Sequence, residues 1–592
     1  MESRVLSTSL SVNLLRLFSH IGSHRRYQFI GLLSLTVISS FFEVVSLGAV
    51  IPLVGILTQP EEVLEFQIIK DIMSLFGISP TADLVLIITT VFGVAAILAG
   101  GLRMVLLWVS IKLGNAIGID LGGEVFRRTL YQPYSVHVSR SSGAVISAIT
   151  LKVQVSTSVL ISLVTIVTSA ILFIFISGTL ILIDPLTASV AMMSFGAAYV
   201  VVFSFTRVRL KKNSYWIARE QTQIVKILQE GLGAIRDVLL DGTQDVYCDT
   251  YTKAIRRLRK SGGENRYMNQ APRYFMESVA MVLIAIFAYV MSVRPGGIVS
   301  ALPMLAALAL GAQRLVPLLQ QLYSNWAILA GSQVELADVL EYLEQPLSED
   351  SVVSTIRPML FQHEIKFNNV SFRYNNNDRW NLDGINLTIP KGSCVGFSGK
   401  TGSGKSTTLD LIMSLIEPTQ GEILVDTQKI NSKFRRSWQS TIAHVPQSIF
   451  LADGTIVENI AFGVSEKLID HERVRQAAKQ AQIADFIESC TDGYNSSVGE
   501  RGIRISGGQR QRIGIARALY KGASVLILDE ATSALDIDTE TKVMSAIQSN
   551  SSDITILIIA HRLDTLKNCD IRFHLEHGKV VQQFKKEVLS AP

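Results

Sequence analysis

Two patterns of hydrophobic and polar positions divide the chain. Before about residue 345, long apolar runs recur, and several exceed the 20 or so residues that cross the roughly 30 Å hydrocarbon core of a bilayer. Beyond about residue 360, short strand-like segments alternate with helical ones, as in an α/β domain. The predicted spans lie at 27–57, 84–107, 160–183, 186–205, 275–293 and 298–322. We therefore expect an all-α membrane domain of six helices, followed by a soluble α/β domain.

The same patterns set the expected boundaries. We expect a cytoplasmic N-terminal segment at 1–26, the membrane domain at 27–345, a linker at 346–359 and the soluble domain at 360–592. The first apolar run is too long for a signal-peptide core, so we expect it to stay as an anchor. An outer segment at 61–76 has apolar residues at helical spacing, which fits either an amphipathic surface helix or a packed loop helix.

Charge in the connections orients the predicted spans. The connection at 58–83 holds five acidic residues against one lysine, whereas 207–273 holds 14 Lys and Arg against 7 acids. Basic connections stay on the cytoplasmic side of a membrane. Both termini and the soluble domain are therefore predicted to be cytoplasmic.

Composition agrees with a membrane protein. Of the 592 residues, 48% are hydrophobic, and the mean hydropathy of +0.33 is too apolar for an ordinary soluble protein. The net charge of +5 is small for this length, which gives no support for a nucleic-acid partner. The four cysteines form no C-x-x-C pair, so we expect neither a disulfide framework nor a zinc site.

A glycine-rich motif lies early in the soluble domain. Residues 399–406 read Gly-Lys-Thr-Gly-Ser-Gly-Lys-Ser and fit G-x-x-x-x-G-K-[ST] without a mismatch. An apolar run precedes the motif and a helix-like run follows it, which is the setting of a phosphate-binding loop. In such a loop Lys405 reaches the β and γ phosphate oxygens, and the Ser406 hydroxyl is placed to bind Mg²⁺. The motif predicts a P-loop that binds nucleotide phosphates with Mg²⁺, rather than a plain glycine turn.

Further short motifs stand at fixed places around this loop. They are Phe372-Arg373-Tyr374, Val445-Pro446-Gln447, Ile505 to Gln509, the apolar strand ending in Asp529-Glu530, Ser533 to Asp536, and Ile559-Ala560-His561. In this order the set resembles the ATP-binding cassette of ABC transporters. The six spans ahead of it resemble the exporter type of half-transporter, with one membrane domain and one cassette in each chain.

The resemblance implies a role for each motif. Tyr374 would stack on adenine, Gln447 would help hold Mg²⁺ and contact the γ-phosphate, and Asp529 would hold the metal through water. Glu530 would polarise the attacking water, and His561 would support the γ-phosphate. The metal residues would thus be Ser406, Gln447 and Asp529. The implied nucleotide residues are Tyr374, Gly399, Lys400, Thr401, Gly402, Ser403, Gly404, Lys405, Ser406, Thr407, Ser506, Gly507, Gly508 and Gln509.

The signature segment 506–509 also implies a partner. In ABC proteins this segment closes over ATP held by a second cassette, and the chain has one cassette. We therefore expect a dimer, most simply a homodimer, with two hydrolysing sites. A polar helix cap is the alternative interpretation of Ser506 to Gln509 on their own. By the same resemblance, 131–147 and 229–236 would be the cytoplasmic loops that couple the membrane domain to the cassettes.

Three charged residues fall inside predicted spans. Glu43 lies in the middle of the first span, Arg103 near the inner end of the second, and Arg314 within the sixth. A charge at this depth is costly and faces a cavity or a partner. Two interpretations remain open: the residues contact an amphipathic substrate, or Glu43 and Arg314 pair with each other.

The membrane half resembles bacterial lipid-linked oligosaccharide flippases around Phe42-Glu43 and Gln313 to Pro317. This predicts a flippase in a bacterial inner membrane, with membrane lipids around it. A lipid, drug or peptide exporter is the alternative within the family. A membrane regulator or channel that is gated by ATP without turnover is the alternative of another class, and an intact Glu530 and His561 argue against it.

Overall fold

The computed structural model describes residues 9–49, 53, 82–183, 185–292, 297–347, 357–375, 379–532, 535–549, 553–560 and 566–585. The chain divides into two compact units. One comprises Met1–Gln132 with Ser139–Pro346, and the other comprises Pro133–Val138 with Leu347–Pro592. The predicted outer segment at 61–76 lies outside the described residues. The predicted fold class, a helical membrane domain followed by an α/β cassette, is confirmed.

The part of the chain before residue 345 is helical. A π-helical turn, Ala148–Lys152, joins the helices Ser142–Ser147 and Val153–Ile183. The helices are α1 (Leu10–Ser19), α2 (Ser23–Gly48), α3 (Ala82–Leu130), α4 (Tyr134–Ser139), α5 (Ser142–Ser147), α6 (Val153–Ile183), α7 (Pro185–Gly233), α8 (Ile235–Leu240), α9 (Gln244–Ser292), α10 (Gly297–Gly331) and α11 (Gln333–Leu343).

Length and hydropathy identify four membrane-spanning candidates among the described helices. They lie at Ser23–Ser46, Thr89–Leu130, Ser142–Leu182 and Ala188–Gly233. The spans predicted at 275–293 and 298–322 fall on α9 and α10, which are not among these four candidates, so they stay predictions. Helices α3, α7 and α9 have 49 residues each, or about 73 Å at 1.5 Å per residue, more than twice the hydrocarbon thickness.

The N-terminal helix α1 packs into the hydrophobic core of the first unit. Leu17 of α1, Leu121 of α3, Val159 of α6 and Leu336 of α11 are all at most 3% exposed and belong to one apolar cluster. Ser9 caps the N-terminus of helix α1, since its side chain accepts a hydrogen bond from the backbone N–H of Val12. Helix α1 therefore packs with the membrane helices, although it precedes the boundary expected at residue 27.

Helices α9 and α10 meet at a proline. Pro272 lacks an N–H group, so the carbonyl of Met268 four residues earlier loses its helical partner. The hydroxyl of Tyr323 in α10 donates to this carbonyl over 2.9 Å. Ser324 beside it donates to the side chain of Asn269 over 2.5 Å. A buried polar group freed by the proline thus becomes a link between the two helices.

The second unit is built on two sheets. An antiparallel sheet has the order β2-β1-β4-β5, and a mainly parallel one has the order β10-β9-β3-β8-β7-β6. The strands are β1 (Glu364–Phe372), β2 (Leu382–Pro390), β3 (Cys394–Ser398), β4 (Gln420–Val425), β5 (Gln428–Lys429), β6 (Ile442–Val445), β7 (Val525–Asp529), β8 (Thr555–Ile559), β9 (Ile571–Glu576) and β10 (Lys579–Lys585). The helices are α12 (Lys405–Ile412), α13 (Ser432–Gln439), α14 (Ile456–Ile460), α15 (His471–Gln480), α16 (Ala484–Ser489), α17 (Gly507–Lys521) and α18 (Ile537–Ser549).

The parallel strands are apolar on both faces because helices cover one face, and α12 with the antiparallel sheet covers the other. All residues of β8, and all of β3 and β7 except the last of each, are buried, which explains their continuous apolar runs in the sequence. At the start of β3, the sulfur of Cys394 lies 3.4 Å from that of Cys569, 175 positions away, and both thiols are free. Folding thus pairs two cysteines that are far apart in the sequence.

Candidate ATP site and a charge cluster in the membrane half

The sheet order explains why distant motifs meet. Strands β3, β8, β7 and β6 are parallel neighbours, so their carboxyl ends lie at one edge of the sheet. The phosphate-binding loop follows β3, Gln447 follows β6, and Asp529 with Glu530 ends β7. His561, which follows β8 in the sequence, lies outside the described residues, so its role stays a prediction. Ligands of α/β sheets bind at this edge.

Glycine is required at two positions of the phosphate-binding loop. Gly399 has φ +145°, and a Cβ there would lie 2.2 Å from the carbonyl oxygen of Leu575. Gly404 has φ +103°, and its Cβ would lie 2.5 Å from a methyl carbon of Leu382. Both the backbone conformation and the close approach exclude a side chain. The loop therefore turns tightly enough to direct backbone N–H groups at a phosphate.

The loop also offers side chains to an anion. The ammonium of Lys405 donates to the carbonyl oxygens of Gly399 and Lys400, at 2.8 and 3.0 Å. The hydroxyl of Ser403 is buried and, within the described part of the chain, has no hydrogen-bond partner. Burial lowers the pKa of Lys405, and the nearby carboxylates of Glu530 and Asp529 oppose that shift. The Lys405 ammonium and the unpartnered Ser403 hydroxyl can both donate hydrogen bonds to phosphate oxygens.

Two predicted catalytic residues are in direct contact. The side-chain amide of Gln447 donates to the carboxylate of Glu530 over 2.7 Å. Glu530 has φ +49°, a conformation that a non-glycine residue rarely adopts, and its N–H donates to the carbonyl of Ile559 over 3.0 Å. This hydrogen bond to β8 therefore stabilises Glu530 in an otherwise unfavourable backbone conformation. Strain of this kind concentrates at functional sites.

The structure adds an acid that sequence reasoning missed. Burial, with a further contribution from Asp529, raises the pKa of Asp410 to about 6. Asp410 lies one turn after Ser406 on α12, a spacing that puts the two side chains on one helix face. That spacing is the signal that could have revealed it. Asp410 is thus an additional acid on the helix that carries the predicted metal hydroxyl.

The donor set at this edge fits Mg²⁺. A hydroxyl (Ser406), an amide (Gln447) and a carboxylate (Asp529) supply oxygen atoms, which are the ligands that Mg²⁺ prefers. The same metal also takes oxygens from the substrate phosphates. The orphaned hydroxyl of Ser403 in the adjacent loop agrees with a phosphate-bearing ligand there.

The predicted adenine-stacking residue has an open ring face. Tyr374 is 54% exposed and packs edge-on against Phe372, with ring centroids 5.0 Å apart. Tyr134 belongs to the same compact unit, and burial, followed by the charges of Asp410 and Tyr374, raises the pKa of its phenol. Sequence reasoning placed Tyr134 in a loop that would couple the membrane domain to the cassettes, but it did not single out this residue.

The signature segment forms a capping box at the start of the 15-residue helix α17. The Ser506 hydroxyl accepts from the N–H of Gln509 over 3.3 Å, and the Gln509 side chain accepts from the N–H of Ser506 over 2.9 Å. The cap interpretation is thus correct for the single chain. It does not compete with anion binding, because a capped helix N-terminus also attracts phosphate.

The charged residues of the spans form one cluster. Glu43 of α2 is 2% exposed and makes ion pairs with Arg314 of α10 and with Arg103 of α3, the latter at 3.6 Å. The structure thus brings all three predicted charged residues together, including Arg103. One acid between two arginines leaves a formal surplus of one positive charge. The two arginine side chains are partly exposed, Arg103 by 44% and Arg314 by 29%.

Known proteins match both halves of the chain. Residues 382–533 match the family described as "ABC transporter", and residues 32–307 match "ABC transporter transmembrane region". An ATP-dependent lipid A-core flippase of Burkholderia orbicola is 31% identical, over 80% of this chain and 79% of its own. A protein of the same description from Cupriavidus pinatubonensis is 29% identical, over 81% of each chain.

A solved structure agrees with the fold. A bacterial Atm1-family ABC exporter with ATP bound superposes with a TM-score of 0.76 and covers 95% of both chains at 23% identity. At that identity the likeness concerns the fold alone.

Proposed function

Because the chain belongs to the ABC transporters, with their transmembrane region followed by one cassette, we propose that it is a homodimeric flippase for a negatively charged lipid-linked saccharide. The family establishes the coarser statement, that the chain is an exporter whose ATP hydrolysis is coupled to transport. The dimer, the substrate class and the residue roles below are the proposal. It places the membrane domain, residues 27–345, at a bacterial inner membrane with its long helices continuing into the cytoplasm, and it places residues 360–592 in the cytoplasm.

In the proposed mechanism, the cassette positions ATP and a water molecule. Lys405, Ser403 and the backbone of the loop hold the phosphates, while Tyr374 stacks on the base. Ser406, Gln447 and Asp529 would hold Mg²⁺, which neutralises charge on the phosphates when bound. Glu530 accepts a proton from the attacking water, and the hydrogen bond from Gln447 orients its carboxylate.

The second cassette comes from another copy of the chain. The segment from Ser506 to Gln509 sits at a helix N-terminus, whose N–H groups carry partial positive charge. In the proposed dimer this terminus faces the γ-phosphate held by the partner's loop. Two copies then form two equivalent sites, and closing them drives the membrane helices.

The observation that carries the substrate proposal is the charge cluster in the spans. A surplus positive charge on partly exposed arginines at membrane depth suits a phosphate or pyrophosphate group. Relatives described as ATP-dependent lipid A-core flippases support a lipid substrate. A lipid-linked oligosaccharide joined through pyrophosphate carries negative charge that the arginines could meet, and it is the substrate that we favour.

Flipping in vesicles tests the proposal. Purified protein in liposomes would receive labelled lipid-linked oligosaccharide, labelled lipid A-core, a neutral phospholipid and a cationic drug in parallel. We expect ATP-dependent movement of the lipid-linked oligosaccharide, with little movement of the last two. Glu530→Gln protein supplies the background without turnover. Movement of only the drug or the neutral lipid would refute the substrate proposal, and an ATP-binding protein without basal hydrolysis would favour the gated regulator.

A further inference from the structure

A basic cavity lies between helices α7 and α9, outside the ATP site and the charge cluster. It has a volume of about 950 Å³. Four cations line it, two from each helix, and the lining contains one acid, Glu264. The cations are Arg209 and Lys212 of α7 and Arg257 and Lys260 of α9. A cavity with this balance attracts an anion.

Most of these cations are available to a ligand. Within the described part of the chain, no ion pair involves Arg209, Lys212 or Lys260. Arg257 is engaged, since it lies 3.6 Å from the buried carboxylate of Glu220 and 6.0 Å from the ring centre of Trp216. The cavity thus keeps three cations without an acidic partner.

Hydrogen bonds engage the one acid that lines the cavity. The side-chain amide of Asn213 is buried and donates to Glu264 over 3.1 Å and to Asn265 over 2.9 Å. These bonds join α7 to α9 and occupy the one lining acid. The Glu264 carboxylate is therefore hydrogen-bonded to Asn213, and the unpaired cations line other parts of the cavity.

Sequence position places one end of the cavity at the membrane surface. Arg209 follows the predicted end of the fourth span at 205 by about 6 Å of helix, and Lys212 follows it by about 10 Å. Headgroups extend roughly 5–8 Å beyond the hydrocarbon on each side. The exposed ring of Tyr267 also lines the cavity, and tyrosine favours this interface. This end of the cavity therefore adjoins lipid headgroups.

We propose that the cavity between α7 and α9 binds the headgroup of an anionic phospholipid of the cytoplasmic leaflet, with its phosphate between Arg209 and Lys212. The lipid is a bound partner distinct from the transported substrate. The assignment of the cavity to the cytoplasmic leaflet rests on the membrane orientation given in the proposed function. Charge complementarity and the position beside the bilayer favour a lipid over a soluble anion.

Lipid retention by the full-length protein tests the inference. The protein would be exchanged into mixed micelles of phosphatidylcholine and phosphatidylglycerol, and the lipids bound per chain would be counted by native mass spectrometry. We expect Arg209→Gln with Lys212→Gln to weaken phosphatidylglycerol binding by about tenfold or more. The matched control is Arg207→Gln with Lys211→Gln, which removes two charges from the same turns but none from the cavity lining.

Equal losses in both double variants would show a general effect of basic charge and would overturn the site. Unchanged binding in the cavity variant would overturn it as well. Displacement of phosphatidylglycerol by millimolar inorganic phosphate would identify a soluble-anion site and reject the lipid. Basal ATP hydrolysis and flipping would be measured on the same samples. A failure of flipping in the parent protein would count against the proposed function and not against this site.

Discussion

The cassette site and the charge cluster of the membrane half are organised in different ways. In the cassette, local backbone geometry fixes the functional residues, through a loop with glycines at φ +145° and +103° and an acid directly after a strand. In the membrane half, Glu43, Arg103 and Arg314 come from three helices, and only helix packing brings them together. Motifs can therefore reveal the first kind of site but not the geometry of the second.

The largest expected effect tests the cassette side of this comparison. Glu530→Gln removes the proposed proton acceptor but keeps the side-chain shape and the capacity to accept from Gln447. We expect ATP to bind while hydrolysis falls at least a hundredfold, because general base catalysis contributes about 10²- to 10⁴-fold. Phosphate release and nucleotide retention would be measured together. Glu472→Gln, an exposed acid on α15, is the control. Hydrolysis near the parent rate would remove Glu530 from the reaction.

The next effect tests whether the membrane cluster binds substrate or only pairs internally. Arg314→Gln leaves Glu43 with Arg103, so the buried acid keeps one partner. If Arg314 meets a phosphate, the substrate concentration that half-stimulates hydrolysis should rise about tenfold to a hundredfold, since a charge-assisted contact contributes roughly 1.5–3 kcal/mol. Arg273→Gln, an exposed cation on α9, is the control.

Adding Glu43→Gln separates the two interpretations of the cluster. The double variant of Glu43 and Arg314 contains neither member of the pair, so no buried acid lacks its partner. If pairing is the sole role, this variant should regain the transport that Arg314→Gln loses. If Arg314 contacts substrate, transport should stay impaired. Recovery in the double variant would exclude Arg314 from the substrate site.

A smaller effect tests whether two copies complete each cassette site. Lys405→Ala disables the loop, and Ser506→Arg disables the signature, so each variant alone should be nearly inactive. A one-to-one mixture contains one intact composite site in each mixed dimer, which predicts recovery to about a quarter of the parent rate. The mixture would be dissociated and reassembled before hydrolysis is measured. Mixed samples that show only the sum of the separate activities would contradict a shared site.

Sequence predicted the cassette well because its signals are local. The continuous apolar runs of β3 and β7 and the glycine loop followed from short windows, and the structure has strands and a helix there. Asp410 was missed because its importance depends on proximity to Asp529, a residue 119 positions later in the sequence, which no motif specifies.

In the membrane half, apolar runs predicted helices but not the contacts between them. The ion pair between Glu43 and Arg103 could not be predicted, because hydropathy gives no register between α2 and α3. In the cassette, the contact between Cys394 and Cys569 was likewise missed, because it depends on the pairing of β3 with β9 across a long separation in the sequence.

The smallest expected effect concerns Glu335, a second buried acid in the membrane half. Glu335 lies at the start of α11, about 20 Å of helix beyond the predicted sixth span, and is 2% exposed. Its carboxylate accepts a hydrogen bond from Ser214 over 3.1 Å, and that hydroxyl also accepts from the N–H of Val334. Unlike Glu43, it makes no arginine ion pair within the described residues. Burial raises its pKa to about 7.

Because burial raises the pKa of Glu335 in the folded state, the protein should become less stable as pH rises. Below about pH 4.5 the acid is protonated in both the folded and unfolded states, and there is no penalty. Between pH 4.5 and about 7 the unfolded state releases its proton first, so the free energy of unfolding should fall as pH rises, by about 1–3 kcal/mol, and then level off. Glu335→Gln should remove this dependence and raise the melting temperature at pH 8 by a few degrees. Thermal unfolding of detergent-solubilised protein at pH 5.5 and 8 measures it, with exposed Glu341→Gln on the same helix as control. An unchanged pH dependence in Glu335→Gln would mean that the Glu335 carboxylate is stabilised as well as that of Glu43, and the contrast between the two buried acids would fail.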